Sequence, residues 1–151
     1  MLIRASLYVA VVTIALRFAL PALADANLDA ARARWKSAAI ANYEYGYNKY
    51  CDCHRESPPE TVVTVRGGTV TGVRHRPVGT TVEVPAADKN LQYYWTVDGL
   101  FELVAAAQAR GVQVRAAYDA ELGFPREIYI DYDAKLIGDE LDLRMTGVTR
   151  L

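Results

Sequence analysis

The chain has 151 residues, 17 of them basic and 18 acidic, for a formal net charge of −1. That length suits one ordinary domain. The charge balance excludes general nucleic-acid binding, which needs a basic stripe to release counterions.

The first two dozen residues read as a secretory signal. Residues 1–4 form a short positive start, and residues 5–16 an apolar run of about a dozen, within the range of a signal h-region. Ala22-Leu23-Ala24 is a small-x-small cleavage site, so residues 1–24 are expected to leave and Asp25 to begin a single domain over 25–151. A spanning helix needs about 20 apolar residues. Arg17 and Pro21 interrupt this run, and no later stretch is apolar enough to cross a bilayer. Arg17 is unusual in a signal, which keeps an uncleaved anchor as the competing reading. No cysteine adjoins the cleavage site for lipid attachment. The expectation is export to the periplasm or beyond the cell, with no stable membrane insertion after cleavage. Removing Arg4 and Arg17 leaves fifteen basic and eighteen acidic residues, a net charge of −3.

A helix is expected from 27 to about 40. Asn27 can cap it, and Leu28, Ala31, Trp35 and Ala38 recur at helical spacing. From 42 to 53 the period changes to two. Tyr43, Tyr45 and Tyr47 share one side of a strand, with Glu44 and Asn48 on the other. An alternating strand needs one buried face, so the three tyrosines are expected to pack under a helix. Ser57-Pro58-Pro59 ends the strand. Residues 61–66 and 69–76 form a hairpin about Gly67-Gly68. Residues 77–92 are less regular, with a short edge strand possible over 80–84.

Thr96 caps a second helix over 97–110, with Trp95 placed to staple onto Leu100. Leu100, Val104 and Ala107, flanked by Phe101, form its buried stripe. Arg110 and Gly111 suit its end. Val112, Val114 and Ala116 mark a strand running to Tyr118, and residues 119–125 turn around Gly123. Ile128 and Ile130 anchor the next strand, and Leu141, Leu143 and Met145 the last. The order is helix, three strands, helix, three strands. Strands joined by short turns pair antiparallel, so the class is α+β: one antiparallel sheet with both helices packed on one face. Trp35, Leu100, Phe101, Val104, Ile128 and Ile130 are the expected core.

The ordered set of Tyr43-x-Tyr45, Cys51-x-Cys53, Val63-x-Val65, Thr96-Val97-x-x-Leu100-Phe101, Tyr118-Asp119-x-x-x-Gly123-Phe124-Pro125-x-x-Ile128-x-Ile130-Asp131 and Asp139-Glu140 resembles one bacterial family. Its members are small exported proteins and lipoproteins, catalogued as domain of unknown function 6174. The resemblance covers roughly residues 35–148 and implies a compartment and a fold type. It brings no catalytic residue to carry over.

Cys51 and Cys53 are the only cysteines. In an oxidising compartment they must be bridged, ligated or buried. On a straight strand, positions i and i+2 lie about 6.5–7 Å apart, whereas disulfide Cβ atoms want about 3.8 Å. A Cys51–Cys53 bridge therefore bends the strand. Free thiols, redox activity, pairing between chains and metal binding are the alternatives. Cys51, Cys53, His54 and His75 would make a Cys₂His₂ set, but not at a known zinc spacing. In a regular hairpin His75 lies opposite Glu60, and two exposed histidines at strand ends is the preferred reading. Tyr93 and Tyr94 are candidate contact residues, since tyrosine supplies rigid area with a polar tip.

Asp131, Asp133, Asp139, Glu140 and Asp142 fail the calcium-loop pattern and read as a solvated turn. No nucleophile elbow, phosphate-binding glycine loop or Cys-x-x-Cys motif is present. No cofactor is implied. The first reading is a non-enzymatic exported module that binds a protein or cell-envelope component. The second is a thiol-redox or metal-handling protein using Cys51 and Cys53.

Overall fold

The computed structural model describes residues 19–50, 59–86 and 90–151, with side chains from Asn27 onward. Among the described residues, two α-helices, α1 (Ala19–Ser37) and α2 (Val97–Ala109), accompany seven strands. In chain order these are β1 (Tyr43–Tyr50), β2 (Glu60–Arg66), β3 (Thr69–Arg76), β4 (Val84–Pro85), β5 (Gln113–Tyr118), β6 (Pro125–Asp131) and β7 (Leu141–Arg150). They make one open sheet in the order β4-β3-β2-β1-β7-β6-β5, antiparallel throughout. The class is α+β. The element order differs from the expected one by β4, a two-residue edge strand that pairs with β3.

Register divides the sheet into two faces. Tyr43 pairs with Val65, Tyr45 with Val63 and Val148, and Ile128 with Ala116 and Leu143, which puts these side chains on one side. Both helices lie there. Trp35 of α1 meets Tyr43 edge-on at 5.2 Å, and Phe101 of α2 stacks on Tyr118 at 6.0 Å. All six expected core residues are buried, as are Tyr43, Tyr45 and Tyr47. Replacing Leu100 by alanine should cost about 2–5 kcal/mol in urea unfolding. A loss under about half a kcal/mol would mean that the site collapses around the change.

The helix ends are set by local chemistry. Thr96 Oγ1 accepts from Gly99 N at 3.0 Å, which caps α2 as expected. Asn27 does not cap α1, because the helix begins at Ala19 and runs through it. The preceding Ala22-Leu23-Ala24-Asp25-Ala26 run is rich in the best helix former. At its other end α1 stops at Ser37, short of Ile40, where Ala39 turns left-handed at φ 49°.

The β1 tyrosines do more than fill space. Tyr43 OH accepts from Val97 N at 2.9 Å, a first-turn N–H with no partner inside its helix. Tyr45 OH donates to the Trp95 carbonyl at 2.5 Å. One strand thereby fixes the start of α2. Burial pushes the Tyr43 and Tyr47 hydroxyls up to about 12, and lifts Tyr45 well above its ordinary value. The folded values exceed the unfolded value of about 10. Their contribution is therefore complete below pH 10 and is lost as pH rises through about 12. Urea unfolding followed from pH 8 upward should show constant stability to about pH 10 and then a fall. Tyr43→Phe should flatten part of that fall.

Candidate binding face

Among the described residues, the opposite face of the sheet carries no helix and is polar. Glu44 on β1, Thr64 on β2 and Arg74 on β3 share this side, and so do Glu60 and Arg76. They join into one network. Arg74 donates to Glu44 at 2.8 Å and to Glu83 at 2.5 Å, and Thr64 Oγ1 donates to Glu44 at 2.7 Å. Arg76 donates to Glu83 at 2.5 Å and also pairs with Glu60, which accepts in turn from Thr146. Burial pushes the Glu44 carboxyl up, but hydrogen bonds from Arg74 and Thr64 outweigh it and hold the group below its ordinary range. Hydrogen bonds from Arg74 and Arg76 do the same for Glu83. Exposed ion pairs contribute only about 0–1 kcal/mol each, so the network's main effect is geometric.

Gly46 makes that geometry possible. A β-carbon there would run into Glu60 Oε1 and Thr146 Oγ1 and lie 2.9 Å from Glu60 Cδ. Opposite it, the β1–β7 register slips between Gly46 and Tyr47, a bulge at Thr146 that turns its hydroxyl onto Glu60. Gly46→Ala should cost about 1–3 kcal/mol as overpacking. In a Glu60→Ala background the cost should shrink, because the displaced side chain is gone. Equal costs in both backgrounds would assign the glycine another role.

The other half of the face, over β5, β6 and β7, is built differently. The Arg115 guanidinium lies 4.2 Å from the Tyr129 ring centroid and that of Arg144 4.7 Å from Tyr50. Arg144 also reaches both oxygens of Asp142, at 3.1 and 3.3 Å. Arg115, Glu127, Tyr129, Asp142 and Arg144 line a concavity of about 310 Å³. A second, of about 210 Å³, lies over Gly46 and Gly147, bounded by Glu60, Arg76 and Thr146.

The expected site residues sit elsewhere. Cys51, Cys53 and His54 lie outside the described residues. His75 is on the helix side of β3, opposite Thr61 rather than Glu60, because a bulge between Thr64 and Val65 slips the hairpin register by one. Its Nδ1 is 3.3 Å from Thr61 Oγ1. Among the described residues no three His, Cys, Asp or Glu side chains are grouped to hold a metal. Tyr94 packs against the core beside Tyr47, and Tyr93 is exposed on a 3-10 turn, Leu91–Tyr93. In the 132–140 segment, Asp133 accepts from Lys135 N and Glu140 from Gly138 N, as in a solvated turn. Sequence reasoning missed the network, because its strand faces are set by a register shift. The alternating charges of Glu44 and Glu60 on one side and Arg74 and Arg76 on the other are visible in the sequence, but a regular hairpin would put the two arginines on the face away from Glu60, and only the bulge between Thr64 and Val65 brings them together.

No helix among the described residues is long and apolar enough to cross a membrane. Neither a curated protein nor a solved structure matches the chain. A family model does, over residues 27–150, from the first described side chain of α1 to the end of β7. The chain belongs to that family, the family of unknown function DUF6174.

Proposed function

We propose that this chain is an exported, non-enzymatic binding module for a protein or cell-envelope component, and that the helix-free sheet face is its contact surface. One observation carries the reading: the face is already ordered. Most of its charged groups, Glu44, Glu60, Arg74, Arg76, Glu83, Arg115, Asp142 and Arg144, are tied to one another or stacked on tyrosine rings. Side chains held this way lose little freedom when a partner arrives. The 310 Å³ concavity mixes arginine, carboxylate and tyrosine, a lining suited to a polar, hydrogen-bonding partner. The signal-like residues 1–24 support export.

Photo-crosslinking side chains placed in living cells test this. Arg144 and Thr149 report on the open face, and Arg34 and Ala106 on the helix side. Adducts are expected from the first two positions only, and Arg144→Ala should abolish those made from Thr149. Adducts arising equally from both sides, or only from the helix side, would overturn the assignment.

A further inference from the structure

We infer that two copies of this chain join edge to edge through β5 into one continuous sheet. The two edges of the sheet are not alike. β4 is two residues long and ends in Pro85, which cannot donate to a ladder, a common way to blunt an edge. β5 runs for six residues without proline or lysine and, among the described residues, pairs only with β6. Among the described residues no backbone hydrogen bond reaches its outer side. The slip between Ala117 and Tyr118 places the extra residue on β6, so β5 itself is straight.

The residues on and behind this edge are self-complementary. An antiparallel pair related by a two-fold axis must be centred on a residue, because opposed side chains share a face. Centring on Ala116 sets Ala116 against itself, Val114 against Tyr118 of the second copy, and Arg115 against Ala117 of the second copy. On the helix side Val114, Ala116 and Tyr118 are half-buried at the rim of the core, and this register joins the two rims. On the open side, Glu127 lies directly behind Ala117 in the β5–β6 register. Arg115 then faces Glu127 of the second copy across a single methyl group. Two strand spacings separate their backbones, about 9.6 Å, which the two side chains together span.

Within its own chain Arg115 stacks on Tyr129 and Glu127 faces Arg144, but neither makes an ion pair within 4 Å among the described residues. In the pair of copies the Arg115–Glu127 contact forms twice, once in each direction. A foreign strand would satisfy the backbone edge but has no reason to carry these charges in this register. The 310 Å³ concavities of the two copies, both lined by Arg115, would lie side by side at the seam.

Sedimentation equilibrium of the purified chain, from micromolar to several hundred micromolar, tests the proposal. A species of twice the chain mass is expected. Arg115→Glu, and separately Glu127→Arg, should each raise the dissociation constant about tenfold or more, because like charges then face each other. Arg115→Glu combined with Glu127→Arg should restore the dimer. Circular dichroism confirms folding, and the second single variant serves if the first misfolds. A wild-type chain that stays monomeric throughout, a dimer indifferent to both single changes, or a monomer that takes up an added extended peptide at β5 would each overturn the proposal.

Discussion

Replacing Tyr45 by alanine should remove about 3–5 kcal/mol of stability, as for other large aromatic truncations in cores. Domains of this kind are stable by only about 5–15 kcal/mol, so the variant should be largely unfolded in mild urea. Three losses coincide. Tyr45 is 1% exposed and lies within ring contact of Tyr43 at 6.2 Å and Tyr47 at 6.0 Å. Its hydroxyl also holds the Trp95 carbonyl just before α2. Tyr45→Phe separates the contributions. It keeps the ring and should cost only about 1–3 kcal/mol, the penalty for a carbonyl left unpaired. If alanine and phenylalanine cost the same, the hydrogen bond rather than the packing dominates. Amide exchange should accelerate at Val97 in both variants if β1 fixes the start of the helix.

Gly123→Ala should cost about 2–5 kcal/mol, an unusual loss for one added methyl. The turn between β5 and β6 is pressed against α1, and Gly123 is the point of contact. Its φ is 83°, and a β-carbon would meet the Ala31 carbonyl oxygen and lie 2.9 Å from Arg34 Cβ. A helix backbone cannot step aside as a flexible side chain can. Gly79→Ala is the matched control. It has φ 77° and nothing within 4 Å, so only the left-handed penalty of about 1–2 kcal/mol applies. Urea midpoints for the two variants decide the matter. Equal losses would mean that α1 yields and that the close approach is not a constraint.

Much of this fold was legible because periodicity and punctuation agreed. The alternation of Tyr43, Tyr45 and Tyr47, the Gly67-Gly68 turn and the Thr96 cap each gave one answer, and each is present. What escaped were features set by tertiary register. The bulge that moves His75 from Glu60 to Thr61 has no local signature, since Thr64 and Val65 are ordinary strand residues. Nor does Gly46 announce that Glu60 and Thr146 will cross over it. These three positions lie far apart in the chain and meet only once β1, β2 and β7 are side by side. Asn27 failed for the opposite reason. Its local preference for a cap was outweighed by the alanine-rich stretch before it.

The pairing of β1 with β7 has a kinetic consequence. These two strands are neighbours near the middle of the sheet, with Tyr43 against Arg150 and Tyr50 against Asp142. The first strand thus waits for the last. Before residues 141–150 are in place, one side of β1 is unsatisfied and Ile128 and Ile130 lack their β7 neighbours. Closing so long a loop must precede the contacts that reward it, which slows folding relative to a chain of local hairpins. Ribosome-bound nascent chains that stop before Leu141 should therefore remain protease-sensitive, and protection should appear in a single step once β7 has emerged.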